Sequence, residues 1–490
     1  MKKVEFFALL VILVGGFAVR LYHFSWPVAD WHSWRQTDTS AVSRNFVQNG
    51  FDVLRPKFED LSSGVSLIDN PQGYRFVEFP FYNVLQAGLF ETFHTFTIEE
   101  WGRLVTIFFS LVSTVFLYLL VKKYTSIRVG LFSAFFYAFI PYNIYYGRTI
   151  LPDSLMLASF LSALYFFSQY LDSQKYNKIL SYFLSIVCLA IAFLIKPYVA
   201  FFALPFAYLI YLKYGIKGFI RLDVWIFILL SILPFGLWRM WMDQYPAGIP
   251  RNNWLWNGTG IRFRPAFFQW IFAERISKLI LGFWGLIFVI LGLIIKPFKK
   301  EGWFFLTFMI SSLLYLFTFA TGNVQHDYYQ MLIIPTLAVF FGKGLDGIIR
   351  LGKQGLINYR VSLMLSAVVI VFMLMFGWYV VRDYYSIQHP SIITAGQAVD
   401  ALIPKDAKVI APYGGDTTFL YYTNRNGWPV FDRSYKAFKK AGASYIVFAD
   451  PSQEDLNNEK LFKPVKIAPA YAIFDMTKPT AQGLIEQAKD

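Results

Sequence analysis

Only one cysteine occurs in the 490 residues, Cys188, and it lies inside an apolar run. An intramolecular disulfide framework is thereby excluded, and nothing points to thiol chemistry. Charge is scarce as well: Asp, Glu, Lys and Arg make up 16% of the chain, against about 25% in soluble domains, which excludes an ordinary soluble protein. No glycine-rich loop is followed by a lysine, so a nucleotide-driven pump is not expected. No His or Cys spacing fits a zinc site. Internal repeats and low-complexity linkers are missing too. Past the apolar run Phe6 to Val19 no small-x-small cleavage pattern appears, so Met1-Lys2-Lys3 and this run read as an uncleaved first span.

What the chain does contain is apolar: 56% of it is hydrophobic and 20% aromatic. Many runs approach the roughly 20 residues that cross a bilayer core. Eleven spans are predicted: Phe6 to Tyr22, Trp101 to Val121, Val129 to Tyr145, Leu151 to Leu171, Ile179 to Ile195, Tyr198 to Leu212, Val224 to Met242, Ile276 to Ile295, Trp303 to Ala320, Met331 to Ile348 and Val361 to Val381. The net charge of +14 sits in short gaps between these runs, which suits anionic membrane lipids and not nucleic acid.

Basic side chains resist translocation, so their distribution sets the orientation. One set of gaps holds Lys122, Lys123 and Arg128; Lys175 and Lys178; Lys213, Lys217 and Arg221; Lys296, Lys299 and Lys300; and Lys343, Arg350, Lys353 and Arg360. The short gaps of the opposite parity hold only Arg148 and Lys196. A multi-pass protein of the cytoplasmic (inner) membrane follows, with a cytoplasmic amino terminus and the carboxy-terminal tail outside. The expected division is a transmembrane module over 1–381, with outer loops 23–100 and 243–275, and an extracytoplasmic α/β domain over 382–490. In that tail Lys408 to Ala411 and Ser444 to Phe448 read as strands, and Arg433 to Ala441 between them as an amphipathic helix.

Ionisable groups at span ends are the functional candidates in such a chain. The richest stretch is Asp30-Trp31-His32-Ser33-Trp34-Arg35-Gln36-Thr37-Asp38-Thr39, expected as a helix start capped by Asp30 or Ser33, with Arg35 and Asp38 on one face at i, i+3. A plain interfacial helix with belt tryptophans accounts for the same residues; the functional reading is a carboxylate base beside an anion-binding cation. Glu78-Phe79-Pro80-Phe81-Tyr82 reads as an interfacial helix. Arg148 precedes Pro152-Asp153, where Asp153 either complements a helix dipole or meets Arg148. Lys196-Pro197 separates two runs, with a snorkelling lysine as the plain reading. His326-Asp327-Tyr328-Tyr329 adds an imidazole and a phenol, and Arg251, Arg262 and Arg264 of the second loop read as solvated. All these segments belong to the outer side, which suits an active site there. No metal or other cofactor is expected: a hard cation on Asp30, Asp38, Asp153 or Glu78 would compete with the cations placed near Asp38 and Asp153.

Trp34-Arg35-Gln36-Thr37-Asp38-Thr39 leading into Ser43-Arg44-Asn45-Phe46, then Glu78-Phe79-Pro80, Arg148 to Asp153 and Lys196-Pro197, resemble the bacterial protein-mannosyltransferase-like glycosyltransferases of the GT-C fold, whose relatives include the aminoarabinose transferases of lipid A. The resemblance covers residues 1 to about 350. It implies a helical polytopic membrane enzyme that takes a hexose or pentose from a polyprenyl-phosphate donor and transfers it, with inversion, to a glycan, lipid or protein acceptor. In such enzymes an acid of the first outer loop is the proposed base. Where relatives open that helix with Asp-Glu, this chain has Arg35-Gln36, so the base role falls to Asp38, with Asp30 and Asp153 as further catalytic carboxylates. Arg35, His32, Glu78, Arg148, Lys196, His326 and Tyr329 are then the groups for the donor phosphate and substrate. A transporter or flippase of lipid-linked saccharide, and a related oligosaccharide polymerase or ligase, are the alternatives. Alternating access would need charges near mid-span and paired broken helices, whereas the charges here lie at span ends.

Overall fold

The computed structural model describes residues 3–172 and 176–489; Met1, Lys2 and Lys175, used in the signal and orientation arguments, lie outside these. Contacts group the chain into two units. One comprises Met1–Phe24, Arg103–Arg239 and Asn252–Tyr384, and the other Ser25–Gly102, Met240–Arg251 and Tyr385–Asp490. The tail expected as a domain of its own over 382–490 therefore shares a unit with the first loop. The second loop is divided, 240–251 going with the tail and the rest with the helices.

The first unit is a bundle of apolar helices. Each of the eleven predicted stretches is helical over most of its length. Among the described residues seven helices are long and apolar enough to cross a membrane, or eight if the pair Pro265–Ile280 and Gly285–Ile294, bent by 114°, forms one span. At that bend Gly282 and Phe283 both have positive φ, +49° and +58°. One other predicted span is broken by proline. Val129 to Tyr145 is split into Ile127–Phe139 and Pro141–Tyr146, because proline has no N–H to continue the ladder and biases the residue before it toward extended backbone. The Tyr137 carbonyl that Pro141 leaves without its i+4 donor is taken by Asn143 Nδ2 at 2.6 Å. The neighbouring Ala138 carbonyl accepts from Arg20 Nη1 at 2.8 Å. In hydrocarbon every backbone group needs such a partner, which explains a fully buried arginine at the end of the first helix, Lys3–Arg20. Pro197 acts similarly: Ile195 ends one helix, Lys196 is extended (φ −146°, ψ 115°), and a 3₁₀ turn Pro197–Phe202 leads into Ala203–Tyr214.

The second unit is built on helix Ser33–Asn49, helix Phe81–Thr92 and a five-stranded mixed sheet. The strands are β1 (Lys408–Ile410), β2 (Gly427–Trp428), β3 (Ala443–Ala449), β4 (Phe462–Ala468) and β5 (Tyr471–Pro479), in the order β2-β1-β3-β5-β4. β1 runs parallel to β2 and β3, and β5 is antiparallel to β3 and β4. The predicted strands and helix of the tail are present, the helix shorter, Tyr435–Lys440, because Ser434 caps it and Gly442 at φ +97° follows it. One face of the sheet buries Ile410, Trp428, Phe438, Ile446 and Phe474 together with Leu61 of the first loop. On the other, Ile392, Val399, Val409, Phe419, Val447 and Ile473 pack together. The loop also borders β2: Gly427 donates to the Glu59 carbonyl and Leu61 to the Gly427 carbonyl, at 2.9 and 2.8 Å. Loop and tail thus share one core.

Candidate active site

In the loop and tail unit, helix Ser33–Asn49 is unusual in being polar and buried, from Arg35 without a break to Ser43. Buried polar groups need partners, and helix Phe81–Thr92 supplies them: Asn83 Nδ2 donates to the Thr39 carbonyl at 2.6 Å, and Gln86 bridges Ser40 and Ser43 at 3.0 and 2.7 Å. The helix is not capped as expected. His32, half-buried beside Trp31, takes the left-handed conformation (φ 55°, ψ 35°), the Asp30 carbonyl accepts from Ser33 N–H at 3.0 Å, and no side-chain cap forms. The Asp30 carboxylate instead accepts from Gln36 Nε2 at 2.8 Å, which ties the incoming chain to the first turn.

The expected pairing of Arg35 with Asp38 is replaced by two longer-range ion pairs. Arg35 binds Glu78 and donates to Thr39 Oγ1 at 3.2 Å. Asp38 receives Arg75 on Oδ2, and the Thr417 hydroxyl donates to Oδ1 at 2.6 Å. An i, i+3 pair on a helix surface contributes only about 0.2–0.5 kcal/mol, whereas a buried carboxylate left without its cation costs about 3–5 kcal/mol, so tertiary partners decide. Arg35, Asp38, Arg75, Glu78, Pro80 and Asn83 line a small pocket with room for about one water, about 10 Å³. Its two acids face two guanidinium groups, and Glu78 Oε2 has no hydrogen-bond partner among the described residues. Two further acids lie close by. Burial pushes the Asp60 carboxyl up to about 6, opposed by the Ser62 N–H and reinforced by the charge of Asp38. Asp416 is raised for the same reasons, burial first and Asp38 after it.

In the helical unit Asp153 opens helix Asp153–Asp172 as predicted, with the Pro152 carbonyl accepting from Met156. Its partner is Lys196 and not Arg148: Lys196 Nζ lies 2.7 and 2.8 Å from the two carboxylate oxygens. The snorkelling reading of Lys196 fails, since the residue is 8% exposed and its ammonium lies 5.3 and 5.5 Å from the ring centres of Tyr328 and Tyr329. Arg148 donates to the His23 carbonyl at 3.0 Å and lies over the Tyr145 ring. His326 is half-buried against Trp254, Tyr328 and Tyr329. Beside it the fully buried Asp327 accepts from the Tyr146 hydroxyl at 2.5 Å, from Tyr384, and faces Arg275 at 3.5 Å. In the second loop Arg262, expected in solvent, donates to the Thr318 carbonyl at 2.6 Å, while Arg251 and Arg264 are exposed.

The structure therefore gathers Asp30, His32, Arg35, Asp38 and Glu78 in one unit, and Arg148, Asp153, Lys196, His326 and Tyr329 in the other. Sequence reasoning missed Arg75, Asp60, Asp416, Thr417 and Arg275. A signal existed for Arg75, a cation three residues before Glu78; for Thr417 only the preceding Gly414-Gly415 marked a turn. Among the described residues no three His, Cys, Asp or Glu side chains group so as to hold a metal ion.

A helical membrane bundle carrying a polar first-loop helix and a small carboxy-terminal sheet is the architecture of the GT-C glycosyltransferases, and the chain has that fold. The family model described as dolichyl-phosphate-mannose-protein mannosyltransferase matches residues 79–238. Among solved structures, ArnT from Cupriavidus metallidurans in the apo state aligns with a TM-score of 0.67 at 13% identity, covering 95% of this chain and 97% of ArnT. The same ArnT bound to undecaprenyl phosphate aligns at 0.64 and 12% identity, over 97% and 98%. The oligosaccharyltransferase AglB from Archaeoglobus fulgidus, in complex with an inhibitory peptide and a dolichol-phosphate, aligns at 0.56 and 11% identity, over 94% of this chain and 70% of AglB. Comparison with curated protein sequences gives no match.

Proposed function

We propose that this protein is a glycosyltransferase of the cytoplasmic membrane that moves a hexose or pentose from a polyprenyl-phosphate donor to a glycan, lipid or protein acceptor on the outer face, with inversion. The fold supports the reaction class, and ArnT and AglB were solved with polyprenyl phosphates. The observation that carries the reading is the Asp38 carboxylate, held by Arg75 and Thr417 at a pocket that also contains Arg35 and Glu78. A sugar phosphate ester already has its leaving group, so the enzyme needs a base for the acceptor proton and cations for the departing phosphate. Asp38 takes the proton from the acceptor as the acceptor atom bonds to the anomeric carbon. The anomeric carbon–oxygen bond breaks, its electrons leave with the lipid phosphate, and a single displacement inverts the centre.

Glu78 and His32 are assigned to sugar or acceptor contacts, and Asp30 to holding the helix start. In the helical unit Lys196, backed by Asp153 and flanked by Tyr329, is assigned to the donor phosphate together with Arg148 and His326. An apolar groove of about 260 Å³ lined by Phe193, Val199, Phe202, Phe206 and Phe227 there suits an isoprenoid. Within the loop and tail unit Asp38 is matched by Arg75 and Glu78 by Arg35, and within the helical unit Asp153 is matched by Lys196, which supports a reaction run without a metal. The amino terminus is assigned to the cytoplasm and the tail to the outside.

The test uses the purified chain with undecaprenyl-phosphate-linked mannose, glucose and aminoarabinose, following release of undecaprenyl phosphate and new glycosides by mass spectrometry. Asp38→Asn is expected to lower release at least about a hundredfold while the protein stays folded in detergent. Full activity in that variant removes Asp38 from the chemistry. Movement of the lipid-linked sugar across a liposome with no new glycosidic product overturns the transferase reading in favour of a flippase.

A further inference from the structure

We propose that Thr417 is a positioning residue for the Asp38 carboxylate, so that the carboxy-terminal α/β segment forms part of the active site. The inference rests on Asp38 being the base. Asp38 has two oxygens and two different donors: Arg75 on Oδ2 and the Thr417 hydroxyl on Oδ1. A carboxylate gripped at one oxygen can still turn about its side-chain bond, whereas donors on both oxygens fix its plane and hence the direction of the lone pair that meets the acceptor proton. The hydroxyl is suited to this, because it can rotate and also accept, so it stays bonded when an acceptor O–H or N–H arrives at the same carboxylate.

The contact is built in. The chain reaches Thr417 through Gly414 and Gly415 at φ +62° and +86°, a region side chains disfavour. Asp416 Oδ1 then accepts from the Thr418 N–H at 2.7 Å and sets the turn. From there residues 417–421 run along helix Ser33–Asn49 and are fastened at several turns of it. Thr418 donates to Ser33 Oγ at 2.9 Å, the Tyr421 hydroxyl to Ser40 Oγ at 3.1 Å, and Arg44 Nη2 to the Tyr421 carbonyl at 2.8 Å. The Arg44 guanidinium also lies 3.8 Å over the Tyr421 ring. With both flanks fixed, Thr417 is delivered to one oxygen of one carboxylate. The charged groups facing Asp38 are Arg75, with Arg35 and Glu78 along the pocket and Asp60 and Asp416 within electrostatic reach.

The test compares Thr417→Val, Thr417→Ser and Thr418→Val in the full chain, with undecaprenyl-phosphate-linked mannose, glucose and aminoarabinose as donors. Thr417→Val removes the donor and keeps the shape. Its kcat is expected to fall about tenfold or more, with KM for the donor unchanged. The acid limb of its pH profile is expected to differ from that of the parent, because the carboxylate has lost a hydrogen-bond donor. Thr417→Ser restores both. Thr418→Val, whose partner is Ser33, lowers thermal stability without moving the acid limb. If Thr417→Val keeps wild-type kcat and acid limb while Asp38→Asn is inactive, the positioning role is wrong and the base assignment stands. The positioning role is equally wrong if Thr417→Val and Thr418→Val change the profile alike. Full activity of Asp38→Asn removes the base and the positioning role together. Should Thr417→Val fail to fold, Thr417→Ala against Thr417→Ser carries the comparison.

Discussion

Two buried carboxylates, one in each unit, are handled in opposite ways. Asp153 gives both oxygens to the single ammonium of Lys196, at 2.7 and 2.8 Å, beside the rings of Tyr328 and Tyr329. Asp38 divides its oxygens between Arg75 and the neutral hydroxyl of Thr417. The first is a closed arrangement for the carboxylate, both of whose oxygens are taken, while the ammonium keeps a third N–H for another anion. The second is an open arrangement: one guanidinium holds the charge, and the other oxygen has a neutral partner that can share it with an acceptor. That difference is what separates a carboxylate that maintains a cation's position from one suited to accept a proton.

The contrast is most exposed to experiment at the closed pair. Removing one member of a buried ion pair leaves an uncompensated charge and costs about 3–5 kcal/mol, while replacing both with apolar groups is often neutral. Lys196→Met alone is therefore expected to cause the largest loss of stability among the changes considered, read as thermal unfolding in detergent. Lys196→Met combined with Asp153→Leu should recover most of it. If the double variant is as unstable as the single one, the pair is not a closed unit.

Sequence legibility follows the same line. Apolar runs are visible because composition alone forces them into helices: all eleven predicted stretches are helical over most of their length, although among the described residues only seven or eight helices are long and apolar enough to span. The acids of the first loop are visible for a related reason: Asp30, Asp38 and Glu78 are anomalous beside a membrane span. Their partners are not. Asp38 meets Arg75 across 37 residues and Thr417 across 379, and nothing local encodes such a meeting. The i, i+3 spacing of Arg35 and Asp38 is a true local feature outweighed by burial. Likewise Arg148 is the near neighbour of Asp153 in sequence, but the break at Lys196-Pro197 presents the lysine instead.

The open arrangement has a pH signature next to it. Asp60 sits near Asp38 and Arg75, and burial raises its carboxyl to about 6. A raised carboxyl means that the folded state holds its proton where the unfolded chain has lost it. Stability from this group is thus fully present below the unfolded value of about 4 and is lost as pH rises through about 6, by up to about 3 kcal/mol. Asp60→Asn keeps an acceptor for the Ser62 N–H, which now lies 2.8 Å from Oδ1. The variant should be more stable than the parent at neutral pH and should flatten the decline between those limits. Unfolding curves at several pH values decide this, and a parent whose stability does not fall across that window contradicts it.

The smallest effect is expected where the same chemistry meets water. Arg433 of the tail grips Asp69 of the first loop with two nitrogens, at 3.0 and 2.8 Å. This geometry matches that of a strong buried pair, yet the Asp69 side chain is 61% exposed. Arg433 holds the carboxyl of Asp69 below its ordinary range, chiefly through these hydrogen bonds. The sign is the reverse of that for Asp60: the contribution is present above the unfolded value and disappears as pH falls through the lower folded one. Solvent screening limits it to under about 1 kcal/mol. Asp69→Asn should therefore differ only slightly from the parent at neutral pH. The difference should shrink further in high salt, where the screening length drops to about 3 Å at 1 M, and vanish in acid. A loss as large as that expected for Lys196→Met would mean that bidentate geometry, and not burial, sets the strength of these pairs, and the contrast between the closed and open carboxylates would then need another cause.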